Sequence, residues 1–317
     1  MPQQTLAQSR VIDPILTTHA IGYARPGNIG QLLFPTATVG QYGGKVLTFG
    51  KESFRKYNTK RAPGSATQRI TFGYDGDPYA IVPAALEALV PDENMTDAAA
   101  VPGIDLASDA VDLVLDVFEL EHEVECATLA RNAANYDSSH KTTLTGTDKW
   151  TAGGTADPTD DIMTAQEALR ASIGVRGNLV VLSATAFAAL QSVDKIIERL
   201  KYHSAASVTT DMLARLWNVP QVVVGEAVAA EGVDDTLGDV WGNDVIVAYV
   251  SPAAGGNRRS AARPSYGYTY TMKGHPNVKT PYRDENRNSW VYGVNCDRVP
   301  VISGITAGFL IKDAGAA

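Results

Sequence analysis

The sequence LASDAVDLVLDVFELEHEVECATLARNAANY, residues 106–136, contains neither proline nor glycine and repeats its apolar residues at helical intervals. Successive members of the repeat are four or three positions apart, so they fall on one face of an α-helix. A helix over the whole stretch spans about 45 Å at 1.5 Å per residue, which is long for a globular domain. The sequence therefore predicts one long helix with an apolar stripe: Leu106, Ala110, Leu113, Val117, Leu120, Val124 and Ala127.

A line of carboxylates follows the same spacing directly beside the apolar stripe. Like charges at this spacing repel one another on a helix. One interpretation is a solvated face, favoured near its start by the helix dipole. The other is a cationic partner that lies along the helix. The carboxylate line consists of Asp105, Asp109, Asp112, Asp116, Glu119 and Glu123.

Length and composition exclude several classes of protein. The 317 residues suffice for one large or two modest domains, and no run of about 18 apolar residues predicts a membrane span. The start of the chain lacks the pattern of a signal peptide. Two distant cysteines, Cys126 and Cys296, form neither a disulfide framework nor a zinc site. A net charge of −8 argues against a nucleic-acid-binding module, but not against a protein that encloses nucleic acid.

Residues 1–44 do not resemble a domain, because prolines and glycines interrupt every element early. Their apolar residues, among them Ile15, Leu33 and Phe34, are nevertheless too numerous for a free tail. This pattern predicts an extended arm whose apolar side chains are covered either by another subunit or by the chain's own domain.

Residues 45–75 are rich in strand formers on both sides of the turn sequence KRAPGSA, which predicts a long β-hairpin. Such a hairpin is only marginally stable alone, and its aromatic residues match no single-strand-binding pattern. We therefore favour contact with an acidic neighbour over nucleic-acid binding. Between residues 45 and 69 the segment contains one acidic residue, Glu52. Its basic residues are Lys45, Lys51, Arg55, Lys56, Lys60, Arg61 and Arg69.

Residues 158–256 have the pattern of a compact α/β unit. Asp157 and Pro158 favour the start of a helix that runs to Ile173. Further helices are predicted over 185–200, with Phe187, Leu190, Val193, Ile197 and Leu200 on one face, and over 210–217. NLVVLS, QVVVGEAVA and DVIVAYVS are predicted strands, and AEGVDDTLGD is an exposed loop.

The last part of the chain predicts strands that close a sheet. YGYTYTM alternates Tyr266, Tyr268 and Tyr270 at strand spacing, and NSWVYGVNCDRVPVISGITAGFLIKD supplies two or three more strands. The simplest architecture is α+β, with the α/β unit inserted into a domain built from the long helix and these terminal strands.

The sequence shows no marked catalytic chemistry. It contains no phosphate-binding glycine loop after a strand and no Gly-x-Ser-x-Gly turn, and its five histidines lack ligand spacing. We predict no catalytic residue, no cofactor and no metal ligand. An enzyme built on unmarked residues is the remaining alternative.

The order of these segments resembles the major capsid proteins of tailed phages, which share the Hong Kong 97 fold. The arm, the basic hairpin, the long helix, the inserted α/β unit and the sequences VWGNDVIVAYVSP, PSYGYTYTM and VISGITAGFLIKD carry the resemblance. It implies an N-arm (1–44), an extended loop (45–75), a peripheral domain (76–157 and 257–317) and an axial domain (158–256). AEGVDDTLGD would then lie at the capsomer axis.

The resemblance also implies a structural function and a set of partners. Hexamers and pentamers of the chain would close into an icosahedral shell around double-stranded DNA, in a virion assembled in the host cytoplasm. A hairpin that begins near residue 45 leaves no room for a scaffolding segment, so a separate scaffolding protein is expected. A portal protein, and in some members a decoration protein, are the other partners. The alternatives are an encapsulin, which encloses cargo enzymes, and an unrelated soluble enzyme.

Some members of the family join a loop lysine to an asparagine of a neighbour. Lys51, Lys56 and Lys60 would be the lysines here, and Asn286, Asn288 or Asn295 their partners. No residue in the sequence is identifiable as the buried glutamate that such chemistry needs, so we predict non-covalent shells.

The two charge patterns lead to one hypothesis about contacts between subunits. In the family, the extended loop of one subunit lies over the peripheral domain of the next. We expect the hairpin cations to face the neighbour's carboxylates at Asp109, Asp112, Asp116, Glu119 and Glu123.

Overall fold

A computed structural model of the protein describes residues 12–23, 25, 27–45, 60, 78–99, 105–200, 208–231, 236–251 and 265–316. The helices are α1 (Pro14–Gly22), α2 (Gly30–Leu33), α3 (Asp92–Ala99), α4 (Leu106–Arg131), α5 (Pro158–Ile173), α6 (Ala184–Leu190), α7 (Asp194–Leu200) and α8 (Thr210–Trp217). The first strands are β1 (Thr36–Val39), β2 (Gly43–Lys45), β3 (Pro78–Ala80), β4 (Ala85–Pro91), β5 (Lys141–Thr143), β6 (Leu179–Ser183), β7 (Gln221–Gly225) and β8 (Val228–Glu231). The remaining strands are β9 (Thr236–Asp239), β10 (Val245–Ala248), β11 (Gly267–Met272), β12 (Asn277–Val278), β13 (Tyr282–Asp284), β14 (Ser289–Asn295), β15 (Arg298–Ile302) and β16 (Gly308–Lys312).

The long helix is confirmed as α4, with 26 residues and a length of about 39 Å. Asp105 caps its first turn by accepting a hydrogen bond from the backbone N–H of Ala107. The helix ends at Arg131 rather than at Tyr136, because Asn132 adopts an extended conformation and caps a short 3₁₀ turn that follows.

The apolar stripe of α4 is only partly buried: Ala110 and Ala127 are inside, whereas two larger members are not. Leu113 and Val117 are 64% and 49% exposed. The buried face lies to one side of the stripe and includes Val111, Leu115 and Phe118. The reason is that α4 is covered from two directions, by β-strands and by the N-terminal arm, so the covered sector is rotated toward the carboxylate line.

A four-stranded antiparallel sheet lies beneath the first half of α4. Its central strand, β14, pairs with β4 along one edge and with β12 and β13 along the other. Val111 and Phe118 of α4 belong to the same apolar cluster as Val278, Tyr292 and Val294 of the sheet.

A second, three-stranded sheet has the order β1-β11-β15, with β1 parallel and β15 antiparallel to β11. The predicted tyrosine strand is confirmed here, since β11 carries Tyr268 and Tyr270, and both are buried. Tyr266, just before the strand, is buried too, and its hydroxyl lies 2.5 Å from that of Tyr136.

The α/β unit is built on a five-stranded sheet with the order β5-β16-β10-β6-β7. The helix from Pro158 to Ile173 is confirmed, and Asp157 caps it through the N–H of Asp160. The helix expected over 185–200 is instead two helices, α6 and α7, separated by a turn that ends at Val193. This turn shifts the helical phase, so that Ile196 is fully buried and Ile197, predicted to be buried, is 43% exposed.

The sequence led us to expect the last strand in one domain with the long helix, but it pairs within the sheet of the α/β unit. β16 pairs with β10 and β5, so it completes the sheet of the α/β unit. Phe309 and Ile311 of this strand join the apolar core between the sheet and α5. The division into peripheral and axial segments stays a prediction, but strands from residues 76–157 and 257–317 enter the sheet of the inserted unit.

His122, on the long helix, is buried beside a hydroxyl group. His122 of α4 is 2% exposed, and its Nε2 lies 2.9 Å from the hydroxyl of Thr269 in β11. Burial lowers the pKa of His122 to about 3. The imidazole is therefore neutral in the folded protein at every pH at which the protein is usually studied.

We expect His122 to make the stability of the subunit sensitive to acid. The unfolded chain takes up a proton at this histidine below about pH 6.5, whereas the folded chain does so only near pH 3. The contribution of His122 is therefore present above pH 6.5 and is lost as the pH falls toward 3. From pH 7 to pH 5, the free energy of unfolding should drop about 2 kcal/mol less in His122→Gln than in the wild type. Urea titrations at the two pH values measure this difference, and equal drops would contradict the assignment.

Candidate assembly surfaces

The carboxylate line of α4 is the first surface that the sequence singled out, and its members occupy different environments. Asp105 caps the helix, as described above. Asp109 is exposed at the edge of a groove. Asp112, Asp116, Glu119 and Glu123 all bond to other parts of the same chain.

The main partner of this line is the N-terminal arm. His19 Nε2 lies 2.7 Å from Asp112 Oδ1, the Tyr23 hydroxyl donates to Asp116 at 2.5 Å, and the N–H of Gly30 donates to Glu123 at 2.7 Å. Each of these three pairs is separated by 93 residues in sequence. The constant offset means that the arm runs parallel to α4 along the carboxylate line.

Glu119 is the member of the line that carries a strong ion pair. Its Oε1 lies 2.5 Å from Nη1 of Arg298, and both side chains are about nine-tenths buried. Nη2 of the same guanidinium donates to the carbonyl of Phe118, while Gln31 of the arm donates to the second carboxylate oxygen. A buried charge that lost this partner would be left uncompensated, which costs several kcal/mol.

Glu123 is 1% exposed and is the most deeply buried carboxylate of the line. Its oxygens accept the backbone N–H groups of Ile29 and Gly30 and the indole N–H of Trp241. Burial raises the pKa of Glu123, and the two backbone hydrogen bonds and the indole oppose that rise. One carboxylate therefore joins the arm, the long helix and the segment before β10.

Burial also raises the pKa of Tyr23 to about 12, and the hydrogen bond to Asp116 adds to this rise. The phenol thus stays protonated and remains a donor to Asp116. The arm contacts were not predicted from the sequence. One sequence feature is consistent with these contacts: His19 and Tyr23 are four positions apart, as are Asp112 and Asp116.

The chain's own domain covers part of the arm and leaves another part exposed. Leu33 and Phe34 are fully buried in the chain's own core. Ile15 and Ile21 are 79% and 63% exposed. The chain therefore covers the end of the arm itself and leaves apolar side chains of α1 uncovered.

Two of the seven predicted hairpin cations, Lys45 and Lys60, are among the described residues, and both are exposed. Lys51, Arg55, Lys56, Arg61 and Arg69 lie outside them. The strands at the two ends of this segment, β2 and β3, pair antiparallel with Gly44 opposite Tyr79. The segment 46–77 therefore leaves and rejoins the described fold at one place.

A groove of about 540 Å³ lies between α4, α3 and β4. Leu89, Leu106 and Leu113 give it an apolar lining, and Asp97 and Asp109 are the acids on its wall. One turn beyond Leu113 on the same helix, Val117 is 49% exposed. On α5, by contrast, Met163 is the large apolar side chain that is exposed among the described residues.

Within the described ranges, no three His, Cys, Asp or Glu side chains are grouped as a metal site would require. The helices in those ranges include none that is long and apolar enough to cross a lipid bilayer. Cys126 and Cys296 are both buried and unbonded to each other, and burial raises the pKa of each thiol.

The geometry is that of a chain with large uncovered apolar surfaces, and its relatives explain why. Residues 132–294 match the family model of phage major capsid protein E. The major capsid protein of Burkholderia phage BcepMu is 36% identical over 307 residues, which cover 97% of this chain and 98% of that protein. The chain belongs to the family of phage major capsid proteins. This confirms the resemblance seen in the sequence and the structural function that it implied.

Solved structures agree with this membership. A phage-related protein from Bordetella bronchiseptica RB50 is 52% identical to the capsid protein, with a TM-score of 0.86, and the match covers 98% of this chain and 100% of that one. A chain of the satellite phage P4 procapsid is similar in fold, with a TM-score of 0.54 at 8% identity over 99% and 92% of the two chains. Encapsulins share this fold, but the relative that is 36% identical over nearly the full length is a phage protein, so the encapsulin alternative is less supported.

The contact between Gly30 and α4 gives a direct test of arm docking. A Cβ on Gly30 would lie 2.7 Å from Glu123 Oε2 and 3.1 Å from Cys126 Cβ. We expect Gly30→Ala to displace the arm and to lower the free energy of unfolding by about 1–3 kcal/mol. Denaturant titration and limited proteolysis of the arm measure the two effects.

The matched control for this variant is Gly22→Ala, in α1 of the same arm. A Cβ on Gly22 meets no atom within 4 Å, so this variant should behave as the wild type. Equal stability and equal protease resistance in the two variants would show that the arm is not held at Gly30.

Proposed function

We propose that the capsid protein forms the hexamers and pentamers of an icosahedral shell that encloses double-stranded DNA in the virion. The full-length similarity to the major capsid protein of phage BcepMu carries this proposal. The exposed apolar stripe and the uncovered side chains of α1 support it, since exposed apolar patches of this kind mark interaction sites.

The proposal includes the four-part division expected from the sequence. Residues 1–44 form the N-arm, 45–75 the extended loop, 76–157 with 257–317 the peripheral domain, and 158–256 the axial domain. The antiparallel pairing of β2 with β3 supports the extended loop, because it places both ends of that segment side by side. We further propose assembly in the host cytoplasm with a separate scaffolding protein and a portal protein, with a decoration protein as an optional addition, and non-covalent shells without catalytic activity.

The contact between subunits that we propose is narrower than the one expected from the sequence. Asp112, Asp116, Glu119 and Glu123 already have partners in the same chain, which favours Asp109 over them for this contact. Asp109 remains as the exposed acid of the line, at the edge of the groove that contains Leu89 and Leu113. This combination suits a segment that offers both apolar side chains and cations.

The occupant that we propose is the segment 46–77 of a second copy of the chain. It contains strand formers and aromatic residues together with Lys56 and Lys60. Its apolar residues would cover the groove and the apolar stripe of the neighbour, and its cations would face Asp97 and Asp109. The charge contribution would be modest, because exposed pairs contribute about 0.2–1 kcal/mol each, so most of the binding energy would come from apolar burial.

The first test is assembly itself. Sedimentation of the purified protein should show particles of megadalton mass, and Leu113→Glu should abolish them while leaving a folded subunit, because Leu113 is 64% exposed. The control is Met163→Glu on α5, which is 57% exposed and away from the groove. A wild-type protein that stays monomeric at micromolar concentration would refute the proposed function. Normal shells of Leu113→Glu would refute the proposal that the groove forms part of the contact between subunits.

A second test uses the charges across the proposed contact. Reversing Lys56 and Lys60 to Glu should weaken assembly, and adding Asp109→Lys should restore part of it at low salt. The double variant Arg199→Glu with Arg215→Glu, at exposed positions on α7 and α8, controls for the same change in net charge. Light scattering as a function of salt concentration measures the effect. Normal assembly of the double Lys variant at low salt would show that the hairpin cations do not pair with Asp109.

A further inference from the structure

We propose that Asp297 is the positioning residue that fixes the direction of the extended loop. This inference rests on the proposed function, in which residues 46–77 reach a second subunit. The loop leaves the fold through Tyr42 and β2 and returns through β3 and Ala84, and we refer to these two flanks as the loop root.

Asp297 binds one residue from each flank of the loop root. The hydroxyl of Tyr42 donates to Asp297 Oδ2 at 2.9 Å, and the backbone N–H of Ala84 donates to Asp297 Oδ1 at 3.1 Å. The aspartate is 4% exposed, so water does not substitute freely for either donor. A single buried carboxylate thus holds the outgoing and the returning strands together.

The rest of the loop root is rigid in the same region. Ile81 donates its N–H to the carbonyl of Tyr42 at 2.7 Å, which extends the pairing of β2 with β3. The ring of Tyr79 stacks on Tyr270 of β11, with centroids 4.6 Å apart and planes 12° apart. A Cβ on Gly44 would lie 2.9 Å from the Tyr79 ring, so the backbone of β2 approaches that ring closely.

Asp297 is itself held between the two sheets beside α4. It lies between β14 of the four-stranded sheet and β15 of the three-stranded sheet. Its backbone N–H donates to Nδ1 of His275, and its carbonyl accepts the N–H of Met272. The preceding residue, Cys296, donates to the carbonyl of Ala84 at 3.0 Å. The loop root is therefore attached at the junction of the sheets rather than to one strand.

Because the attachment lies at the base of the loop, a small change of angle there would cause a large displacement at the far end. A hairpin made from residues 46–77 would extend about 50 Å at 3.3 Å per residue, so a tilt of about 10° at its root would move its tip by about 9 Å. A displacement of that size would take the loop out of a groove on the neighbouring subunit. Asp297 would thus act on assembly through the direction of the loop, although it is not itself in the contact.

The experiment separates this role from a contribution to folding. Tyr42→Phe removes one hydroxyl from a side chain that is 45% exposed, so the subunit should still fold and unfold cooperatively, at a moderately lower melting temperature because a hydrogen bond to a charged acceptor is lost. We expect the yield of closed shells of wild-type diameter to fall about tenfold. Tyr282→Phe is the matched control, since Tyr282 is 49% exposed and its hydroxyl donates to Glu87, away from the loop root.

Variants of Asp297 supply the second readout. Asp297→Ala should raise the hydrogen-exchange rate of the Ala84 amide about tenfold or more, because it removes a hydrogen bond to a charged acceptor, and should give open or irregular shells. Asp297→Asn should restore closed shells, because its oxygen can accept from Ala84 and its amide can donate to the Tyr42 oxygen. If Asp297→Ala does not fold, Tyr42→Phe and Asp297→Asn still test whether Asp297 positions the extended loop.

The outcomes distinguish failure of the proposed function from failure of the role proposed for Asp297. A wild-type protein that forms no shells would refute the proposed function. Wild-type shells, together with shells of normal yield and diameter from Tyr42→Phe, would refute the role of Asp297 and leave the proposed function intact. Equal loss of shells in Tyr42→Phe and Tyr282→Phe would also refute it, since the effect would then not belong to the loop root.

Discussion

The structure depends on the way two carboxylates are compensated inside it. Glu119 and Glu123 are buried on α4, where an unpaired charge would be prohibitively costly. Arg298 neutralises the first, and the N–H groups of Ile29 and Gly30 together with the Trp241 indole solvate the second. Because these partners come from the arm, from β15 and from the segment before β10, satisfying the two charges fixes the position of three distant parts of the chain around one helix.

Local patterns were enough to predict many elements of this fold but not their environments. AEGVDDTLGD, predicted to be a loop, instead contains the end of β8 and all of β9, which pair with each other. The four-three spacing gave α4, Asp157 and Pro158 gave the start of α5, and the alternating tyrosines gave β11. The spacing of apolar residues could not show that Val111 is buried and Leu113 exposed. Which face of α4 is covered depends in part on the N-terminal arm, about 90 residues away in sequence. The turn before α7 and the pairing of β16 with β10 were missed for the same reason, since both are set by packing against the core of the α/β unit.

The same limit applies to the assembly surfaces. The carboxylate line was visible in the sequence, where it was interpreted as either a solvated face or the contact site of a cationic partner, and the basic hairpin was the partner that charge suggested. The arm carries few cations; it satisfies the line mainly with neutral donors such as the Tyr23 hydroxyl and the Gly30 backbone. A search for complementary charge therefore favours the hairpin, whereas hydrogen-bonding geometry, which sequence does not reveal, favours the arm. The order of segments along the chain, rather than any single residue, carried the correct family.

Part of each stripe of α4 lies in an environment that its chemistry would not suggest, and this arrangement fits a subunit of an assembly. Charged side chains at 119 and 123 are inside, while Leu113 and Val117 are outside. Covering an exposed leucine or valine is worth about 1.5–3 kcal/mol, more than an exposed ion pair at about 0.2–1 kcal/mol. With the charges already satisfied within the subunit, the proposed contact would draw its energy from the apolar stripe, and the few remaining acids such as Asp109 would set its register. The isolated subunit could then be completely folded and still carry, on its longest helix, the surface that drives it into a shell.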